Sequence, residues 1–162
     1  AVGRRKLKLA HMRQRHSLWM LICLWWLGGC SAFDQKWEAA GEAPQAEHRL
    51  DGQWEGEWIS ANGHRGALKC AMERIADGEY SAWYRATYEK VFTFEYQMTL
   101  RPHRVGPAFW RFSGCEDLGW LAGGAYRYEG DTNGSDLKLE YQTSCDQGYF
   151  ELSRVVQHQS AD

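Results

Sequence analysis

Apolar and polar residues alternate along most of the chain from Gly52 onward, in short runs that turn residues separate. Alternation with a period of two is typical of a β-strand with one buried and one solvated face. The separating turns are Asn62-Gly63, Asp77-Gly78, Asn133-Gly134 and Asp146-Gln147-Gly148. The pattern predicts eight strands, over 52–60, 66–75, 79–88, 91–101, 108–114, 123–130, 136–143 and 148–155.

The short links between these strands favour an all-β fold, a single eight-stranded antiparallel up-and-down barrel, with a β-sandwich as the alternative. Segment 101–107 contains two prolines and a glycine and is predicted to be a turn. The domain spans residues 50–155, followed by a C-terminal tail over 156–162. The predicted inner face carries apolar and aromatic side chains: Trp54, Trp58, Leu68, Cys70, Met72, Tyr80, Ala82, Tyr84, Ala86, Phe92, Phe94, Tyr96, Met98, Leu100, Trp110, Phe112, Tyr126, Tyr128, Leu137, Leu139, Tyr141, Phe150 and Leu152.

The N-terminal part of the chain has a different pattern. Basic residues up to Arg15 precede an apolar run of eleven residues from Ser17 to Leu27. This length suits the hydrophobic region of a signal peptide, whereas a membrane-spanning helix needs about 20 residues. The chain opens with Ala1, and Met12 is a candidate for the true start.

Leu27-Gly28-Gly29-Cys30 ends the apolar run and resembles the lipobox of bacterial lipoproteins. The resemblance implies a signal peptide over residues 1–29, a diacylglycerol on Cys30 and anchoring to a lipid bilayer. An ordinary signal peptide with a chance cysteine is the alternative. The implied location is the cell envelope. If the organism has two membranes, Ser31 in place of Asp favours the periplasmic face of the outer membrane. Residues 30–49 are predicted to be the lipidated cysteine and a flexible tether.

The net charge of the chain after residue 29 argues against nucleic acid as a partner. Six of the 19 Lys and Arg and none of the 21 Asp and Glu lie in residues 1–29, which leaves 13 basic and 21 acidic residues, a net charge of −8. Such a domain is not expected to bind nucleic acid.

Gly52-Gln53-Trp54 at the first strand resembles the Gly-x-Trp opening of lipocalins and the wider calycin group. In that group a basic residue of the last strand packs over the tryptophan and closes one barrel end. The resemblance assigns this structural closure to Trp54 and Arg154, although the usual C-terminal helix of the family is missing from the pattern. The alternative is that Trp54 is a core residue and Arg154 extends to solvent. The chain also resembles small uncharacterised bacterial lipoproteins, which implies no activity.

The barrel topology predicts a mouth at the end opposite this closure, formed by the loops near 61–65, 89–91, 115–122 and 144–147. Cys115 and Cys145 both fall there and are the candidate disulfide, with unpaired or differently paired thiols as the alternative. Cys70 is expected to be a buried hydrophobic residue. The candidate ligand-binding residues at the mouth are Trp58, Tyr84, Tyr88, Trp120 and Tyr126.

Catalytic signatures are weak. The histidines are scattered without metal-ligand spacing, and the predicted inner face offers no carboxylate as an acid or base. We therefore expect no catalytic residue, no metal, no cofactor and no enzymatic activity. Two hypotheses follow. One is a lipoprotein whose barrel binds a small hydrophobic or aromatic ligand. The other is a structural or protein-interaction lipoprotein with a solid aromatic core and an envelope protein as its partner.

Overall fold

The computed structural model describes residues 31–44, 49–117 and 124–156. Within these ranges the chain forms a helix and nine strands. Their bounds are α1 Ala32–Glu42, β1 Gly52–Ser60, β2 Arg65–Ala76, β3 Glu79–Tyr88, β4 Phe92–Leu100, β5 His103–Gly106, β6 Phe109–Asp117, β7 Ala125–Thr132, β8 Asp136–Gln142 and β9 Gln147–Arg154. The predicted turns at 62–63, 77–78 and 133–134 are confirmed.

The strands form a single antiparallel sheet in the order β4-β3-β2-β1-β9-β8-β7-β6-β5. The sheet curls into a half-barrel. The prediction of an all-β antiparallel fold is therefore confirmed. The described residues form nine strands, not eight, and they form one sheet in place of the two facing sheets of a sandwich.

The additional strand comes from the segment that was predicted to be a turn. Residues 101 and 102 separate β4 from β5, and because strand directions alternate across the sheet, β4 and β5 run the same way. Pro102 has no N–H to donate and can end the ladder with β3 without reversing the chain. The chain thus passes from one edge of the sheet to the other, and the predicted turn over 101–107 is wrong.

A side chain connects the edge strand β4 with β7, the third strand from the opposite edge of the sheet. Tyr128 on β7 donates a hydrogen bond from its hydroxyl to the carbonyl of Thr99 on β4, over 2.9 Å. Its ring crosses β6 at Gly114, where a Cβ atom would collide with the phenol. Gly114 therefore allows β7 to reach β4 across the intervening strand.

The core lies on the concave side of the sheet. Trp54, Tyr84 and Phe112 are fully buried there. The cluster includes most of the predicted inner face: Leu68, Cys70, Met72, Tyr80, Ala82, Met98, Leu100, Trp110, Tyr126, Tyr128, Leu137, Leu139, Tyr141, Phe150 and Leu152. The alternation of apolar and polar residues thus gave the correct inward side for most strands.

Helix α1 occupies the segment that was predicted to be a flexible tether, and that prediction is wrong for residues 32–42. The helix packs on the outer face of β1 to β3. Phe33 is 1% exposed and lies under the guanidinium of Arg85, whose Cζ is 4.3 Å from the ring centroid. Lys36 forms a salt bridge with Glu73 over 2.8 Å. Burial of Phe33 holds the helix to the sheet.

Candidate functional site

The alternating strand directions gather three described connections at one end of the half-barrel, which we call the mouth. They are residues 61–64, 89–91 and 143–146. The fourth connection, between β6 and β7, includes residues 118–123 and lies outside the described residues. The mouth loops thus coincide with those expected from the topology.

A layer of five aromatic rings crosses the interior below the mouth, which we call the aromatic layer. It consists of Tyr96, Tyr84, Phe150, Tyr141 and Tyr126, and the separations of successive ring centroids from Tyr96 to Tyr126 are 5.1, 5.8, 5.2 and 5.4 Å. The first and last pairs are stacked, with interplanar angles of 17° and 8°. Such contacts each contribute about 0.5–1.5 kcal/mol beyond the area they bury. The layer joins β4, β3, β9, β8 and β7 into one packed unit.

Two hydroxyls of the aromatic layer are buried without a hydrogen-bond partner among the described residues. They belong to Tyr84 and Tyr126. The Tyr84 hydroxyl lies near the Cys70 thiol, and the Tyr126 hydroxyl lies near the Tyr96 hydroxyl. The groups in each pair influence one another's pKa, but neither pair has the geometry of a hydrogen bond. Burial raises the pKa of both tyrosines well above the usual value. Both are neutral at physiological pH and are available as hydrogen-bond donors.

The other two hydroxyls of the layer have different surroundings. Tyr96 is partly exposed along its ring, but its hydroxyl is shielded and burial raises its pKa. Tyr141 donates to a carboxylate oxygen of Asp146 over 2.9 Å, and Ser60 donates to the other oxygen of the same carboxylate. Asp146 thus closes one corner of the mouth with two accepted hydrogen bonds.

Trp58 and Tyr88 form an aromatic shelf at the mouth. Their rings stack with centroids 6.0 Å apart, and the indole Nε1 donates to the carbonyl of Thr87 over 3.2 Å. The indole can lie flat across the sheet because Gly66 has no Cβ, since a Cβ there would be 2.7 Å from Nε1. His64 Nδ1 lies 3.1 Å from the Tyr88 hydroxyl. Two of the five side chains predicted to lie at the mouth, Trp58 and Tyr88, are thus held in contact.

Three apolar side chains at the start of β4 are exposed, and we call them the apolar rim. Val91, Phe92 and Phe94 are 75%, 60% and 61% exposed. The two phenylalanines have the same parity along β4 as the buried Met98, which agrees with the predicted face, but the prediction that they are buried is wrong. They lie at the mouth end of an edge strand, where the core does not cover them.

Strand β6 extends to Asp117, three residues beyond the predicted end, and this changes the chemistry of the mouth. Glu116 shares the parity of the inward-facing Phe112 and is partly buried. The mouth end of the concave face therefore carries a carboxylate, contrary to the expectation of a face without acidic groups.

The opposite end of the half-barrel has the contact that the calycin resemblance implies. The guanidinium of Arg154 lies over the Trp54 indole, with Cζ 4.8 Å from the ring centroid. Trp54 donates to the carbonyl of Leu50 over 3.1 Å, and Arg154 donates to the carbonyl of Arg49. Burial lowers the pKa of Arg154, and the nearby Asp51 carboxylate acts against this.

The predicted disulfide does not form, because Cys115 and Cys145 are both free and exposed. Cys115 lies on β6, whereas Cys145 follows β8. Strand β7 separates them, and two strand spacings of about 4.8 Å exceed the Cα separation of roughly 4.4–6.8 Å that a disulfide requires. Cys70 is buried, as expected, and burial raises the pKa of its thiol.

Of the five candidate ligand-binding residues, the structure brings four together at the mouth and the aromatic layer: Trp58, Tyr84, Tyr88 and Tyr126. Trp120 and the lipidation candidate Cys30 lie outside the described residues. Sequence reasoning placed Tyr96 and Tyr141 only in the core and passed over Asp146. These tyrosines occupy inward-facing positions on neighbouring strands, and this pattern could have indicated that they belong to the same site.

The cavities found among the described residues lie outside the concave face. A shallow groove of about 810 Å³ lies on the polar outer side of β6 to β9, where Arg127, Glu140 and Tyr149 line it. A pocket of about 120 Å³ lies between α1 and the sheet, beside Ala40 and Trp83. Neither contains the unpartnered tyrosine hydroxyls.

Residues 31–44, 49–117 and 124–156 contain no group of three or more His, Cys, Asp or Glu side chains placed to hold a metal ion. They also contain no helix whose length and apolar character would let it cross a membrane.

The fold defines an all-β protein built on one curled antiparallel sheet. No protein-family model and no curated protein matches the chain. Among solved structures the chain is similar to a de novo designed fluorescence-activating β-barrel, with a TM-score of 0.48 and 18% sequence identity over 70% of this chain and 99% of that one. At this TM-score the likeness carries no argument about what this protein does.

Proposed function

We propose that this is a binding protein, in which the mouth end of a calycin-like barrel takes up a small hydrophobic or aromatic molecule. The supporting observation is the pair of buried hydroxyls of Tyr84 and Tyr126, which have no partner among the described residues and lie below an aromatic shelf and an exposed apolar rim. A buried hydroxyl without a partner costs about 1–3 kcal/mol. A ligand that supplies an acceptor offsets this cost.

The chemistry of the mouth restricts the ligand. Both tyrosines are neutral donors, so the ligand presents a hydrogen-bond acceptor to them. The carboxylates of Asp146 and Glu116 are nearby and disfavour an anion. We therefore expect a neutral, planar, mostly apolar molecule with a carbonyl or hydroxyl oxygen.

The calycin-like architecture is part of this proposal. It is supported by the Gly52-Gln53-Trp54 opening, by Arg154 over the Trp54 indole and by the hydrogen bond from Tyr128 on β7 to Thr99 on the edge strand β4.

We propose binding and not catalysis, because the inward groups are poor acids and bases. Burial raises the pKa of the Cys70 thiol and of the tyrosines of the aromatic layer, so they keep their protons at physiological pH. A nucleophilic cysteine needs the opposite shift.

Anchoring to the envelope through a lipid on Cys30 is a separate part of the proposal and depends on the lipobox resemblance. Its test is the mass of the processed N-terminus. A chain that begins at Cys30 with a diacylglycerol, and a Cys30→Ser variant that is neither lipidated nor cleaved there, are the expected results. A wild-type chain cut elsewhere contradicts it.

The alternative function is a structural or interaction protein of the envelope. It is favoured by the complete burial of Trp54, Phe112 and Tyr84, whose side chains fill part of the interior. In that case the outer surface, and not the mouth, contacts a protein partner.

Titration of the full chain with N-phenyl-1-naphthylamine, a neutral apolar probe whose fluorescence rises in apolar sites, distinguishes the two. Phe94→Ala removes an exposed ring of the apolar rim. Phe109→Ala is the matched control, because Phe109 is 53% exposed at the opposite end of the half-barrel.

The binding proposal predicts that Phe94→Ala weakens the probe's affinity at least about fivefold, roughly 1 kcal/mol, while Phe109→Ala leaves it unchanged. The comparison of the two variants separates the mouth from uptake anywhere else in the chain. Equal affinities in wild type and both variants contradict binding at the mouth and favour the alternative.

A further inference from the structure

Strands β4 and β6 approach each other where the curled sheet is interrupted, and we call the line between them the seam. Successive strands in the sheet order are joined by backbone ladders, whereas β4 and β6 are not hydrogen-bonded neighbours in the part of the chain that the structure describes. Toward the closed end, β5 continues from β4 and does pair with β6. The seam is therefore an interruption of the wall on the mouth side of that pairing.

The hydroxyl of Tyr128 holds the seam together. It donates to the carbonyl of Thr99 over 2.9 Å, and the Tyr128 ring reaches β4 by passing over Gly114 of β6. One hydrogen bond from a side chain contributes less to stability than a backbone ladder, which consists of several such bonds. In the described part of the wall, separation of the strands along the seam therefore breaks fewer hydrogen bonds than separation along a ladder.

Exposure changes sharply along the side of β4 that faces inward. From the mouth, the first two of these side chains, Phe92 and Phe94, are 60% and 61% exposed. The next, Tyr96, is partly buried, and Met98 is 1% exposed. The seam is thus open to solvent as far as Phe94 and sealed from Met98 inward, next to the hydrogen bond of Tyr128.

The two unpartnered hydroxyls lie beside the sealed part of the seam. Tyr96 stacks on Tyr84 with ring centroids 5.1 Å apart, and its hydroxyl lies near that of Tyr126. A molecule that moves inward from Phe94 therefore meets these hydroxyls next. Because Tyr84 and Met98 are 0% and 1% exposed, the molecule passes inward only when β4 moves away from β6.

We propose that the seam is the entrance for the ligand, and that the Tyr128 hydroxyl is a latch whose release lets β4 move away from β6. This inference rests on the proposed binding function and deepens it, because it assigns a route from the exposed phenylalanines to the buried tyrosine hydroxyls. A flat molecule suits this route, because it slides between two strands that stay paired with β3 and β7 on their other sides.

The first test measures opening of the seam without a ligand. Cys70 is fully buried and lies opposite Tyr84 in the ladder of β2 and β3, so N-ethylmaleimide reaches it only when the interior opens. Tyr128→Phe removes the latch and keeps the ring over Gly114. Tyr149→Phe is the matched control, because Tyr149 lines the outer groove and is 40% exposed. The other cysteines of the full chain are replaced by Ser: Cys23, Cys30, Cys115 and Cys145.

We expect Tyr128→Phe to raise the rate of Cys70 labelling about fivefold, the factor that corresponds to loss of one hydrogen bond, while Tyr149→Phe keeps the wild-type rate. The rate should depend on urea more weakly than global unfolding followed by tryptophan fluorescence, because a local opening exposes less surface. An unchanged rate in Tyr128→Phe overturns the latch. A rate that follows global unfolding in its dependence on urea overturns the local opening.

Stopped-flow mixing with N-phenyl-1-naphthylamine tests whether a ligand uses this route. Association and dissociation of the probe should both become about fivefold faster in Tyr128→Phe at unchanged affinity, because the latch is closed in the free and in the occupied protein. Equal association rates in Tyr128→Phe and wild type overturn the entrance. A wild-type chain that binds no probe overturns the binding function and the entrance together, whereas the labelling of Cys70 shows separately whether the seam opens.

Discussion

Replacing Tyr84 by phenylalanine removes a buried hydroxyl that has no partner among the described residues. A hydroxyl that is shielded from water without a hydrogen bond costs about 1–3 kcal/mol, and loss of the oxygen also leaves a small void that costs part of this gain. We expect Tyr84→Phe to stabilise the unliganded protein by about 1 kcal/mol. For a domain of this size that is a rise in Tm of on the order of 4 °C.

Tyr141→Phe is the matched control within the same aromatic layer. Its hydroxyl donates to the Asp146 carboxylate over 2.9 Å, so the variant loses a hydrogen bond to a charged acceptor and destabilises the protein by about 1.5–3 kcal/mol. Urea unfolding of both variants, followed by tryptophan fluorescence, measures the difference. A Tyr84→Phe variant that is destabilised by more than about 1 kcal/mol would show that the hydroxyl is satisfied, and the principal support for the ligand site would be lost.

Gly114→Ala places a Cβ against the Tyr128 ring and is expected to destabilise the protein by about 1–3 kcal/mol, and urea unfolding that shows no change would refute the passage of the Tyr128 ring over Gly114 to β4. Phe33→Ala is expected to cost about 2–4 kcal/mol in the same assay, whereas a freely mobile segment before β1 would give no cost. Lys90 has φ +62°, so Lys90→Gly is expected to raise Tm by relieving about 1 kcal/mol of backbone strain, and a lower Tm would count against a strained turn. Burial raises the pKa of several tyrosines in the folded protein above the value of about 10 that they have in the unfolded chain. Above about pH 10 these tyrosines therefore ionise in the unfolded chain but not in the folded protein. The free energy of unfolding is unaffected by them below that pH and falls above it by about 1.4 kcal/mol per pH unit for each tyrosine. The tyrosines concerned are Tyr84, Tyr96, Tyr126 and Tyr141. Absorbance at 295 nm should show that they ionise only when the protein unfolds. Ionisation of these tyrosines in the folded protein would contradict this prediction.

The alternation of residues predicted the strands and their inner face because each strand has one dry and one wet side. The prediction from this alternation was wrong where one residue type is common in two kinds of structure. Proline occurs in turns and also at the ends of edge strands, and Pro102 takes the second role. Phe92 and Phe94 keep the predicted parity but lie beyond the reach of the core, which depends on how far the neighbouring strands extend.

Helix α1 was missed although its signal is present. Phe33, Trp37 and Ala40 are spaced four and three residues apart, as on one face of a helix. The surrounding Ala, Glu and Gln favoured a solvated segment, and the outer face of a sheet is not an obvious partner for such a short helix. Its stability comes from tertiary contact with Arg85, which sequence alone does not place nearby.

The candidate site was predictable in its aromatic character but not in its hydrogen bonding. Tyr84 and Tyr126 come from strands on opposite sides of the sheet order, and whether their hydroxyls find partners depends on distances across the interior. Asp146 and Tyr141 are five residues apart on either side of a turn, so their contact depends on the geometry of that turn. The position of a residue along a strand predicts which face of the sheet its side chain lies on, but it does not predict which groups the side chain contacts.

Binding of a neutral apolar molecule at the mouth can be tested by photo-crosslinking of the full chain with benzophenone. This probe is planar in each ring, uncharged and has one carbonyl acceptor. We expect adducts on peptides that contain Trp58, Phe94 or Tyr96, with loss of the adducts in a Phe94→Asp variant and their retention in Phe109→Asp. Adducts confined to the outer groove around Tyr149, or unchanged by Phe94→Asp, would contradict it.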